Sequence, residues 1–195
     1  TYSGGEQFFR CRIAKDGKQF EPKEIGAPPK GKSADGRANA RGIVTLYLGD
    51  TEKTALHETR TGLYDHVCIG TFELKSPITV IDFKKINEIS PFQDGIIDDI
   101  AELAINKKHL KQIDYEMGRV MRKSDDVLDY LPTQYIADFV RSIVSEEYPE
   151  QYAFQGIEFR SVMNLEGFNL AIFTPECFDV IDIKMKRINQ ISYVW

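Results

Sequence analysis

Residues 36–60, GRANARGIVTLYLGDTEKTALHETR, read as loop, strand, turn and helix in succession. The strand, over 43–49, sets the frame: Val44, Leu46 and Leu48 point one way under the period-two rule, and Ile43, Thr45, Tyr47 and Gly49 the other. One face is core, and the face carrying Tyr47 is mixed. Asp50 or Thr51 can cap the helix that follows, whose first N–H groups lack partners within it. On that helix Glu58 shares a stripe with Thr51, Thr54 and Ala55, apart from the charged Glu52, Lys53 and Arg60. The preceding loop carries Arg37, Asn39 and Arg41. Guanidinium, phenol and carboxylate thus come from consecutive elements, a grouping that suits an anionic ligand with an aromatic part.

Upstream, FFRCRIA at 8–14 has strand alternation, with Phe9, Cys11 and Ile13 on one face and Arg10, Arg12 and Ala14 on the other. From 16 to 41 the chain is rich in Gly, Pro and Lys, and 16–35 is expected to be a flexible basic loop with little packing of its own. Downstream, HVCIGTFEL at 66–74 and PITVIDF at 77–83 are rich in β-branched residues and predict two strands. Ile96, Ile97, Ile100, Leu103 and Ala104 recur at helical spacing and predict a helix over 95–106; a second is expected over 114–123. Pro132 opens a third, with Tyr135, Ile136, Phe139, Val140, Ile143 and Val144 as a broad apolar stripe. Strands return in IEFRS at 157–161, where Ser161 ends the inward row of Ile157 and Phe159 while Glu158 and Arg160 point away. NLAIF at 169–173 predicts a buried strand and 178–194 a hairpin. Strands at both ends of a helical middle make an α+β domain with a mixed β core.

The 195 residues suit one domain, large enough to bury about 70% of the surface its unfolded chain exposes. Cys11, Cys68 and Cys177 stand singly, a pattern of reduced thiols, and the short apolar runs show neither a signal peptide nor a membrane span. A cytoplasmic protein is expected. The chain begins at Thr1 without Met, so the domain is expected to belong to a longer protein. A net charge of −5 argues against a dedicated nucleic-acid binder. The charge is uneven: nine Lys or Arg stand against four acids between Arg10 and Arg41, a basic entry that can attract phosphate or serve only as a solvated face.

Several chemistries lack their motifs. His57-Glu58 starts like H-E-x-x-H but position 61 is Thr, and His66 with Cys68 has no evident further ligands, so no metal site is expected. There is no G-x-S-x-G, P-loop or G-x-G-x-x-G, which disfavours a serine hydrolase, an NTPase and a Rossmann dehydrogenase.

Taken together, GRAN at 36–39, LYLGDTEKTALHE at 46–58, PTQYIADFVRS at 132–142 and the GIEFRS to NLAIF pair at 156–173 resemble the RES family, named for its Arg, Glu and Ser. Arg37, Tyr47, Glu58 and Ser161 match the family's motif positions, while Ala38 stands where many members have an aromatic residue. The family's N-terminal arginine falls on Arg10 or Arg12, with Arg10 preferred. The resemblance implies a domain similar to diphtheria-type ADP-ribosyltransferases, acting as a toxin that degrades NAD by cleaving the nicotinamide–ribose bond. NAD is then a substrate, no prosthetic group is implied, and an inhibitory antitoxin or a further domain is the expected partner. Glu58 would stabilise the cationic ribose, Tyr47 would pack on nicotinamide or ribose, and Arg37 would meet the pyrophosphate. Ser161 would orient the ribose or amide, with Arg10, Asn39 and Arg41 as further substrate contacts.

Each residue has a plainer reading. Glu58 would be a solvated helix residue, Tyr47 a half-buried sheet residue, Arg37 and Arg41 surface charges, Ser161 a turn hydroxyl and Gln134 a packing residue. Two other functions stay open: transfer of ADP-ribose to a macromolecule, and a non-catalytic interaction module.

Overall fold

The computed structural model describes residues 1–88, 100–120, 127–146, 148 and 151–192. Its strands are β1 (Gln7–Ile13), β2 (Leu46–Gly49), β3 (His66–Leu74), β4 (Val80–Asp82), β5 (Gly156–Arg160), β6 (Phe168–Ile172) and β7 (Phe178–Arg187). Its α-helices are α1 (Pro22–Ile25), α2 (Glu52–Thr59), α3 (Ile100–Gly118) and α4 (Leu131–Ser142). The strands form one sheet in the order β4-β5-β6-β2-β1-β3-β7, with β4 and β5 parallel and the other neighbours antiparallel. The α+β class with a mixed sheet is therefore as the sequence implies. Among the described residues no helix is long and apolar enough to cross a membrane.

Alternation places the cores. Leu46, Leu48, Leu170 and Ile172 join Phe8, Cys68 and Phe72 in one cluster. From the same strands, Tyr47 and Ala171 turn the other way, to Ile157, Phe159 and the helical residues Met117, Ala137 and Val140. Cys11, Val67 and Ile69 pack on Ala55 of α2.

Between β2 and β1 the sheet is nearly parted. β1 pairs with β3 at seven positions and β2 with β6 at four, but β1 and β2 share only Phe9 opposite Gly49. Two half-sheets meet at a single pair, and the strands diverge beyond it.

Several expectations change in detail. Strand 43–49 shrinks to β2 because Leu46 already pairs with Ile172, the last residue of β6, leaving 43–45 without a partner strand. The 16–35 segment is not without packing: it contains α1, opened by Pro22, and Ile25 is fully buried in the first cluster with Phe20 and Ala27 against it. The helices expected over 95–106 and 114–123 fall on one helix, α3, which ends at Gly118, short of the expected 119–120; 95–99 and 121–123 lie outside the described residues. In place of the hairpin expected over 178–194, residues 178–187 form one long strand, β7, because β3 offers it a ladder from His66 opposite Arg187 to Leu74 opposite Phe178, and 193–194 lie outside the described residues. On α4 the apolar stripe divides: Ile136 and Val140 pack inward, whereas Tyr135 and Phe139 are 76% and 62% exposed. A stripe that wide exceeds what one helix buries against a single layer.

Candidate active site

A cavity of about 740 Å³ opens where β1 and β2 part. Phe9 to Ile13 of β1 supply one wall, and the other carries Arg37, Tyr47 and Tyr130, with Glu58 of α2 and Asn169 of β6 between.

Glu58 reaches this cavity because α2 starts where the sequence allows it to. Of the two candidate caps Thr51 does the work: its Oγ1 accepts from Thr54 N at 3.1 Å. Thr54 and Ala55 then face the sheet so closely that a Cβ on Gly49 would lie 2.9 Å from Ala55 N, which is why β2 ends in glycine. One turn on, Glu58 Oε1 accepts from Ser161 Oγ at 2.6 Å and from Asn169 Nδ2 at 2.8 Å. Both bonds fall on one carboxylate oxygen. Ser161 is buried behind Glu58 and is not part of the cavity wall, so the expected direct contact between its hydroxyl and a ligand is not what this geometry offers. Next to Glu58, His57 Nδ1 lies 3.0 Å from Met163 O and so joins α2 to the loop after β5.

The 36–41 loop is built on itself. Asn39 Nδ2 donates to Ala34 O at 2.9 Å and Ala40 O at 3.0 Å, while its Oδ1 accepts from the Tyr47 hydroxyl at 2.7 Å. That hydroxyl also accepts from Ala38 N at 2.8 Å. A Cβ on Gly36 would sit 2.7 Å from the same hydroxyl oxygen, so position 36 must be glycine. Gln134 reaches from α4 to donate to Gly36 O at 3.1 Å and Asn39 O at 2.9 Å, the packing role expected of it. Burial raises the Tyr47 phenol above its ordinary range, so the hydroxyl stays protonated and only the ring is offered to the cavity. Asn39 and Arg41 are not among the lining residues: Asn39 is buried in the loop, and Arg41 pairs with Asp35 at 3.2 Å on the surface. The structure therefore does not bring these two expected substrate contacts to the cavity: the Asn39 amide is spent on the loop, and Arg41 gives its backbone N and Nε to Asp35.

Arg37 faces two ways. Its Nη1 donates to Glu116 O and Met117 O at 2.8 and 2.7 Å, and its Nη2 to Arg119 O at 2.7 Å, closing the C-terminal end of α3 where carbonyls lack partners. Three of its five N–H donors are so engaged. The group still lines the cavity, with Phe159 beneath it at 6.0 Å. Burial lowers its pKa, opposed by Tyr130 and Glu58.

The two N-terminal arginines separate. Arg12 donates to Glu24 O and lies over the Phe20 ring. Arg10 is half-buried in the cavity wall, its buried Nη1 has no hydrogen-bond partner among the described residues, and desolvation, with Arg12 adding to it, lowers its pKa to about 10. A buried donor without an acceptor is costly unless something supplies one.

The structure therefore gathers Arg10, Arg37, Tyr47 and Glu58 around one cavity, with Ser161 touching Glu58 from behind. Sequence reasoning missed Asn169 and Tyr130. An Asn inside the apolar run NLAIF was the available signal for the first; the second follows only from the position of α4. Among curated proteins none matches the chain. The family model described as RES domain, however, matches residues 8–195, a span that contains Arg10, Arg37, Glu58 and Ser161, and the chain belongs to the RES domain family.

Proposed function

We propose that this chain is an NAD-degrading toxin domain of ADP-ribosyltransferase type that breaks the nicotinamide–ribose bond. The observation that carries this reading is the presence, in the lining of one cavity, of the Glu58 carboxylate and of an Arg10 guanidinium whose Nη1 has no acceptor among the described residues. NAD bears a cationic nicotinamide ribose and an anionic pyrophosphate, and it needs opposite charges held apart in one hollow. The volume lies within the roughly 300–1,000 Å³ usual for small-molecule sites. A cleft where two half-sheets part also suits the transferase-like fold that the RES resemblance implies.

On this reading Arg10 takes the pyrophosphate, Arg37 adds positive charge beside it, and the Tyr47 ring packs on the nicotinamide ribose. As the bond between C1′ and the nicotinamide nitrogen breaks, its electron pair leaves with nicotinamide, which becomes neutral, and positive charge grows on the ribose. Glu58 faces that charge and stabilises it more than the ground state, which is what raises a rate. Water attacks C1′ and loses a proton, giving ADP-ribose; phosphate in its place gives the phosphorylated product.

Purified protein incubated with NAD is expected to release free nicotinamide, and Glu58→Gln to lower that rate by about 10²–10³, the usual effect of removing one electrostatic stabiliser. No release from folded protein, or an unimpaired Glu58→Gln variant, overturns the proposal. Adenine-labelled NAD separates the alternative, since transfer leaves label on a macromolecule. An antagonist protein that occludes the cavity completes the reading: its co-expression should abolish nicotinamide release.

A further inference from the structure

The Ser161 hydroxyl has no capacity left for a ligand. It donates to Glu58 Oε1 and accepts from Met163 N at 3.2 Å and Asn164 N at 2.9 Å, which uses its one donor and both lone pairs. Asn169 approaches the same carboxylate oxygen from β6, is 7% exposed and lines the cavity. Its strand is held on both sides, with Gly49 of β2 and Phe159 of β5 as its ladder partners, so the amide cannot drift. The loop that presents Ser161 is tied to the helix of Glu58: Asn164 Nδ2 donates to Thr54 Oγ1 at 2.8 Å, one turn before Glu58. Clamp and carboxylate therefore ride on one rigid body. Glu58 Oε2 takes no hydrogen bond from the described residues.

We propose that Asn169 is a positioning residue for the reaction at this site: together with Ser161 it holds Glu58 Oε1, so that rotation of the carboxylate is blocked and Oε2 alone is presented to the ribose. This rests on the NAD-cleaving reading above. A carboxylate with two donors on one oxygen has one orientation; with one donor it can swing, and the stabilised transition state is lost while the ground-state contacts made by Arg10 and Tyr47 remain. Asn169 thus acts through Glu58, and its removal should act on kcat.

Asn169→Leu, close in volume and without the donor, is expected to lower kcat for nicotinamide release by about 10–100-fold, the range for loss of an outer partner of a working group, with KM for NAD within about twofold of wild type. In a Glu58→Ala background the same change should slow the reaction no further. A raised KM with intact kcat, or losses that multiply in the double variant, overturns the proposal. A second readout needs no turnover: the Asn169 side-chain amide resonances, assigned by their disappearance in Asn169→Leu, should shift in Glu58→Ala. Unmoved resonances sink the clamp even if NAD is cleaved, whereas shifted resonances in a protein that does not cleave NAD leave the clamp standing and remove the activity.

Discussion

Arg10 and Glu58 are charged groups in one cavity, but their surroundings differ. Glu58 already has two donors, whereas the buried Nη1 of Arg10 has no acceptor among the described residues. Replacing Arg10 by Met, an apolar side chain of similar length, is expected to stabilise the free protein while weakening its hold on NAD. The sign follows from desolvation, which disfavours the charged form and lowers its pKa; the guanidinium is charged at neutral pH, so the cost is present there in full. Relief of one unsatisfied buried group is worth about 1–3 kcal/mol. Thermal unfolding should shift up by about 2–4 °C per kcal/mol for a chain of this size, and KM for NAD should rise. A variant that melts lower than wild type contradicts this account of Arg10. The valence of Ser161 was equally decisive, because a hydroxyl pointing inward could serve a ligand or a neighbour, and counting its bonds assigns it to a neighbour.

Among the elements, α2 was the most legible from sequence because its signals are local. Thr51 caps it, small residues fill its inner stripe, and Glu58 follows one turn later. Thr51→Ala should cost about 1 kcal/mol in denaturant unfolding. α3 was less legible, because what ends it is Arg37, far away in sequence, on the carbonyls of Glu116, Met117 and Arg119. A lysine cannot make that fork. Arg37→Lys should therefore speed amide hydrogen exchange around 116–120 by about tenfold or more, as expected when charge-assisted hydrogen bonds worth about 1.5–3 kcal/mol each are lost. Unchanged exchange there would show that the helix end is held by something else. The division of the α4 stripe was likewise invisible in sequence: Val140 and Phe139 are both apolar, and only the packing decides which is covered.

At the level of the whole molecule, the single Phe9–Gly49 pair makes the sheet two halves with a cavity at their seam. A ligand bound there bridges both halves. A non-cleavable NAD analogue at 100 times its dissociation constant should stabilise the protein by about 2.7 kcal/mol and should slow amide exchange in β1 and β2 alike. Protection confined to one half would place the ligand elsewhere. The sequence by itself determined the strands and helices whose signals are contained within a few residues: the alternation of β1, the β-branched run of β3, the apolar run of β6, the capped α2, the proline-opened α4, and the family-like spacing of Arg37, Tyr47, Glu58 and Ser161. Only the tertiary structure decided that β7 is a single strand, that Ile25 anchors the supposed loop, that Asn39 and Arg41 make their contacts within the loop, and that Asn169 joins Ser161 on Glu58. The physical reason is that propensity and periodicity act over neighbours along the chain, whereas a polar atom's partner is whatever the packed sheet and helices bring within 3 Å or so of it.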